Sequence, residues 1–149
     1  MNYKKNISNI IIFNISPPKP HKFSTEIYNS TIDISQIIIE INTLLPQLSD
    51  FINQFHNLVS QSNINVITDS AGNLSIDVPS DMPDKEATKI STRLGIIDRL
   101  ITTRGQELND LFQKGLETEK HIKIENPNYT SQLIQKIEEF KKLNDSYKH

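Results

Sequence analysis

With no cysteine in its 149 residues, the first candidates this chain offers for chemistry are its histidines, carboxylate pairs and arginines. A disulfide scaffold, a thiolate zinc site and a cysteine nucleophile are excluded. The four histidines are too scattered to form a metal site. His56 falls in the Ile52/Phe55/Val59 stretch of a periodic segment, where an imidazole is expected to be packed or at a rim. Catalysis by it would need an orienting partner, and the sequence identifies none. His121 and His149 look solvated. The acid pairs Glu117/Glu119 and Glu138/Glu139 invite comparison with glycoside hydrolysis, which needs two carboxylates across one bond. Adjacent helical residues diverge by about 100°, so Glu138 and Glu139 cannot face one substrate. Both pairs are read as solvated faces.

The three arginines, Arg93, Arg99 and Arg104, lie inside one short segment. At about 100° per residue they do not form one stripe. They serve either surface solubility or bidentate pairing with a partner's carboxylates. No phosphate-cradling glycine loop, His-Glu-x-x-His helix, Gly-x-Ser-x-Gly elbow or metal-ligand spacing occurs. The chain is therefore read as non-enzymatic, with no cofactor and no metal. Sixteen Lys+Arg against eighteen Asp+Glu leave no basic surplus for a phosphate backbone, so nucleic acid is not expected as a partner. Nor is a membrane. The amino-terminal apolar run Ile10 to Phe13 is far too short to span one, and it meets no signal-peptide cleavage site. The protein is expected to be cytoplasmic when made.

The elements that would position these residues follow from hydrophobic period and punctuation. Residues 1–25 carry Lys4, Lys5, Lys19 and Lys22, no acid, and Pro17, Pro18 and Pro20 close together. They read as an extended arm, flexible or docked on a neighbour. Its run Ile10 to Ile15 suits equally a strand of the protein's own sheet. Residues 26–149 read as a single helical domain. From Asp33 to Ser60, Ile34, Ile37, Ile41, Leu45, Leu48, Ile52, Phe55 and Val59, with neighbours, keep the three-four spacing of one helix face. Thr31 or Asp33 would cap that helix, and Pro46 is expected to kink or split it near Leu45.

The period then changes. Ile64 and Val66, and then Leu74, Ile76 and Val78, alternate with polar residues around a turn at Asp69 to Asn73, which predicts a β-hairpin at about 63–78. A second helix follows Pro83 with Ile90, Leu94, Ile97, Leu100 and Ile101 as its buried stripe. Gly105 is expected to stop it, since glycine costs about 1 kcal/mol against alanine in a helix interior. Gly115 is a second breaker. Asn126-Pro127 opens a last helix with Tyr129, Leu133, Ile137, Phe140 and Asn144 on one face. The fold class expected is α+β, mostly helical, with a small antiparallel hairpin packed against amphipathic helices.

The segment Leu94-Gly-Ile-Ile-Asp-Arg-Leu-Ile-Thr-Thr-Arg-Gly-Gln-Glu-Leu108 resembles the helix-then-turn segment of the phage contractile-tail baseplate wedge family, whose relatives include a type VI secretion baseplate component. That resemblance covers about residues 65–145. It matches the hairpin to Asp69 to Val78, the helix end to Arg99-Leu-Ile-Thr102, and the turn to Arg104-Gly105-Gln106-Glu107. It implies a structural role in a virion or tail-like particle. Arg99, Arg104, Gly105 and Glu107 would shape a contact with neighbouring wedge proteins or the first sheath ring. The function expected is a non-enzymatic assembly subunit whose partners are other protein subunits, a homo-oligomer being compatible with it. The alternatives are a helical chaperone or adaptor, since two amphipathic helices joined by a hairpin is also the prefoldin-like layout, and a small helical subunit of a eukaryotic regulatory complex.

Overall fold

A computed structural model describes residues 2–9, 34–122 and 127–148. In chain order the elements are β1 (Tyr3–Asn9), α1 (Ile34–Ser62), β2 (Asn65–Thr68), β3 (Asn73–Val78), α2 (Asp84–Ile122) and α3 (Pro127–Lys148). The described residues are mostly helical α+β, with three helices and one small antiparallel sheet of order β1-β3-β2. Of the arm, Tyr3–Asn9 is a strand paired with β3, from Tyr3 opposite Val78 to Asn9 opposite Asn73. The Ile10 to Phe13 run, the three prolines and the caps Thr31 and Asp33 lie outside the described residues.

β2 and β3 form the expected hairpin, Val66 facing Ile76 and Thr68 facing Leu74. Its turn is built by one carboxylate. Asp69 Oδ1 accepts the Ala71 and Asn73 amides, both at 2.9 Å, and Oδ2 accepts the Asn73 side-chain amide at 3.1 Å. These bonds hold its pKa below the usual carboxylate value. Gly72 takes a φ of 87°, which suits a residue without Cβ. The alternation of β3 puts Leu74, Ile76 and Val78 into the core.

Two breaks expected from the sequence are absent. α1 runs continuously through Pro46. Proline removes the bond to the carbonyl four residues back, that of Asn42, but both Pro46 and Asn42 are exposed, so water can take that carbonyl. The buried Ile41, Leu45 and Leu48 on the opposite side hold the two halves in line. α1 ends instead at Asn63, whose left-handed φ of 56° closes the last turn, with its amide donating to the Ser60 carbonyl at 3.2 Å.

Likewise α2 does not stop at Gly105. It runs 39 residues, about 58 Å at 1.5 Å per residue, through both Gly105 and Gly115. Burial decides this. Ala87, Ile90, Leu94, Ile101, Leu108 and Phe112 form one buried face across Gly105. Burying Leu108 and Phe112 is worth about 1.5–3 kcal/mol each, against about 1 kcal/mol for the glycine. Gly115 serves close packing. A Cβ there would lie 3.1 Å from Leu133 Cδ1 and 3.2 Å from Tyr129 Oη. Leu100, expected in the buried stripe, is 37% exposed, because it sits about 100° from Ile101 around the helix.

α1 and α2 pack antiparallel, and α3 packs against both, with Phe140 tilted on Phe112 at a centroid distance of 5.3 Å. The sheet covers one end of this three-helix layer. Tyr3 Oη at 2.9 Å and Lys5 Nζ at 3.0 Å both reach Asp84 Oδ1, tying β1 to the first turn of α2. The breadth of the α1 stripe is thus accounted for by the protein's own α2, α3 and sheet.

Candidate interaction surface

The residues singled out from the sequence lie on α2 but do not form a turn, since 104–107 is continuous helix. Arg99 is exposed. Arg104 is half-buried against α1: its Nε donates to Gln47 Oε1 at 2.8 Å and its Nη1 to Glu107 Oε1 at 3.1 Å. Gly105 is buried, about 100° around the helix from Arg104, on the core-facing side with Ile101 and Leu108. The structure therefore brings Arg104 and Glu107 together, leaves Arg99 separate and open to solvent, and takes Gly105 out of any contact surface. Arg93 is also exposed.

Beside Arg104 and Glu107 a groove of about 530 Å³ runs between α1 and α2. Its floor is Ile39, Leu44 and Leu111, and Glu40, Glu107 and Asp110 line its rim together with Lys114. Ile39 is 55% exposed. Ile96, 48% exposed, and Leu100 extend this apolar exposure along the outward face of α2. Sequence reading missed Ile96. The signal was present: positions 96 and 100 are four apart, so they share a face, and that face is not the one carrying Leu94 and Ile101.

A second cluster closes the other side of α2. Asp98, only 2% exposed, accepts a short hydrogen bond from the Tyr147 hydroxyl near the end of α3. Burial and that carboxyl group push the Tyr147 phenol well above its usual value. Phe55 meets the Tyr147 ring edge-on at 5.0 Å, and His56 stacks over it at 6.5 Å. His56 is thus a rim residue of an aromatic cluster. A phenol so firmly protonated is a poor proton donor at neutral pH, and the arrangement fastens α3 to α1 and α2. Asp98 was legible as an acid in register with Leu94 and Ile101.

Among the described residues no cluster of three or more His, Asp or Glu could hold a metal ion, and no helix is long and apolar enough to cross a membrane. No protein-family model, curated protein or solved structure matches the chain.

Proposed function

We propose that this protein is a non-enzymatic structural subunit that works by being bound within a larger protein assembly. The observation that supports this reading is the outward face of α2 with its adjoining groove. Ile96, Leu100 and Ile39 stay exposed although, among the described residues, the three helices and the sheet already bury a continuous core. Leaving large aliphatic side chains wet costs about 25 cal/mol per Å², and a partner that covers them recovers that free energy.

The resemblance to the baseplate wedge family narrows the reading to a tail-baseplate-like component, incorporated in a virion or tail-like particle, whose neighbours are wedge proteins and the first sheath ring. Of the residues it selects, Arg99 and Glu107 are exposed and available to such neighbours, and Arg104 orients Glu107. Affinity capture of the intact chain from its native lysate tests the proposal. Stoichiometric co-purification of identified tail or sheath proteins, weakened by Arg99→Glu, is the expected result. Absence of any stoichiometric partner overturns it. A second reading, a helical chaperone or adaptor, is favoured by the order α1-β2-β3-α2, two long antiparallel helices joined by a hairpin. Suppression of aggregation of an unfolded client by the purified chain would shift the weight to it.

A further inference from the structure

The outward face of α2 has an internal order that its exposure alone does not require. Lys89, Arg93, Ile96, Leu100, Thr103 and Glu107 follow one another at spacings of four, three, four, three and four, the seam of an antiparallel or parallel coiled coil. All six lie within about 80° around the helix, and none is buried. Along the seam the chemistry changes from basic, through aliphatic, to acidic.

We infer that this seam pairs with the same seam of a second copy, antiparallel across a two-fold axis that passes between Ile96 and Leu100. A two-fold contact is isologous, so every residue pair is made twice. In this register Ile96 faces Leu100 of the other copy, Arg93 faces Thr103, and Lys89 faces Glu107. Four aliphatic side chains form the centre, with an opposite-charge pair at each end.

The residues select this register. Sliding the second copy by one heptad in one direction sets Ile96 against Glu107; sliding it in the other sets Leu100 against Lys89. Parallel pairing would place Lys89 on Lys89 and Glu107 on Glu107. Of these arrangements only the centred antiparallel one satisfies both the apolar centre and the Lys89/Glu107 pairs, although the next seam positions outward, Glu86 and Asp110, then face each other as like charges.

One further observation agrees with it. Among the described residues Lys89 has no ion-pair partner of its own. This inference gives to a second copy the Ile96/Leu100 face that also supports the assembly reading, and it is tested on the purified chain alone.

The test uses the full purified chain in sedimentation equilibrium over a concentration series at low and high salt. The expected result is a reversible dimer that weakens as salt rises, because its end pairs are exposed. Leu100→Glu is expected to give a monomer with unchanged helix content by circular dichroism. Lys89→Glu is expected to weaken the dimer about tenfold to thirtyfold, since an exposed pair becomes a repulsion and does so twice. Lys89→Glu combined with Glu107→Lys restores opposite charges and is expected to recover most of that loss. The absence of native cysteine gives a direct check of register: a mixture of Ile96→Cys and Leu100→Cys chains should form a mixed disulfide on oxidation, and Lys89→Cys with Leu100→Cys should not. A chain monomeric up to about 1 mM, or a dimer indifferent to Leu100→Glu, overturns the proposal. A dimer whose charge-swapped double variant stays as weak as the single one overturns the register. Because lysate capture and self-association are separate readouts, failure of one is distinguishable from failure of the other.

Discussion

The inner and outer faces of α2 break the hydrophobic rule in opposite senses. On the inner face a carboxyl group, Asp98, sits in the apolar row of Leu94 and Ile101; on the outer face two aliphatic side chains, Ile96 and Leu100, sit in a charged row. The inner exception is answered within the chain. Tyr147 reaches from α3 to donate to Asp98, and the ring lies against Phe55. The outer exception has no such answer in the described structure. A misplaced polar group must be satisfied internally because desolvation without a hydrogen bond is expensive, whereas a misplaced apolar group costs only its wetted area. Internal answers specify the fold, and external ones leave room for a partner.

The largest effect that tests this contrast is a truncation on the inner face. Phe112→Ala empties a site that is fully enclosed and shared with Phe140. It is expected to cost about 3–5 kcal/mol in urea unfolding, with a correspondingly lower melting temperature. A loss under about 1 kcal/mol would show that α3 does not pack as described.

Removing only the hydroxyl that answers Asp98 comes next. Tyr147→Phe is expected to cost about 1.5–3 kcal/mol, the range for a hydrogen bond to a carboxylate. The lower end applies, since Asp98 keeps a further interaction. The pH dependence has a definite sign. The folded phenol titrates above the unfolded value of about 10. Its contribution is therefore complete below about pH 10 and is lost as pH rises, when the unfolded chain releases a proton that the folded chain retains. The stability gap between wild type and Tyr147→Phe should narrow above pH 10. A constant gap would mean that the two states bind that proton equally.

Asp69 offers a carboxylate of the opposite kind, exposed but fully hydrogen-bonded in the hairpin turn. Its pKa is lowered in the fold, so its contribution is complete above the unfolded value of about 3.9 and is lost as pH falls. Asp69→Asn should flatten the acid limb of stability and lower hydrogen-exchange protection at the Ala71 and Asn73 amides. The helix core should stay unaffected. Loss of helix signal together with hairpin protection would show that the turn and the bundle unfold as one unit.

Legibility in the sequence followed the same division between inner and outer answers. The α1 stripe, the hairpin and the α3 face of Tyr129, Leu133, Ile137 and Phe140 could be read because period and turn chemistry are local properties of the chain. The stops at Pro46 and Gly105 were misjudged because propensity is local and burial is not. Whether helix continues there depends on what Leu45, Leu48, Leu108 and Phe112 pack against, which no window of sequence contains. For the candidate surface, Arg99 and Glu107 were found as exposed charges, but their relation to each other was drawn as a turn. Ile96 and Leu100 went unrecognised as a pair because apolar residues in an amphipathic helix are assigned inward until the geometry counts their angles.

The smallest effect on the isolated fold is expected where that outward pair is replaced. Ile96→Gln together with Leu100→Gln replaces two partly exposed side chains outside the buried core, so unfolding of the dilute chain should change by no more than about 1 kcal/mol. The same change should alter how stability depends on concentration. If the outer face is covered by a second copy, the wild-type melting temperature rises with protein concentration, because association draws on the folded state alone. The doubly substituted chain should show no such rise, and its curves at all concentrations should superimpose on that of the dilute wild type. A double variant that is strongly destabilised even when dilute would place Ile96 and Leu100 among the residues that answer to the chain's own core, and the contrast between the two faces of α2 would vanish.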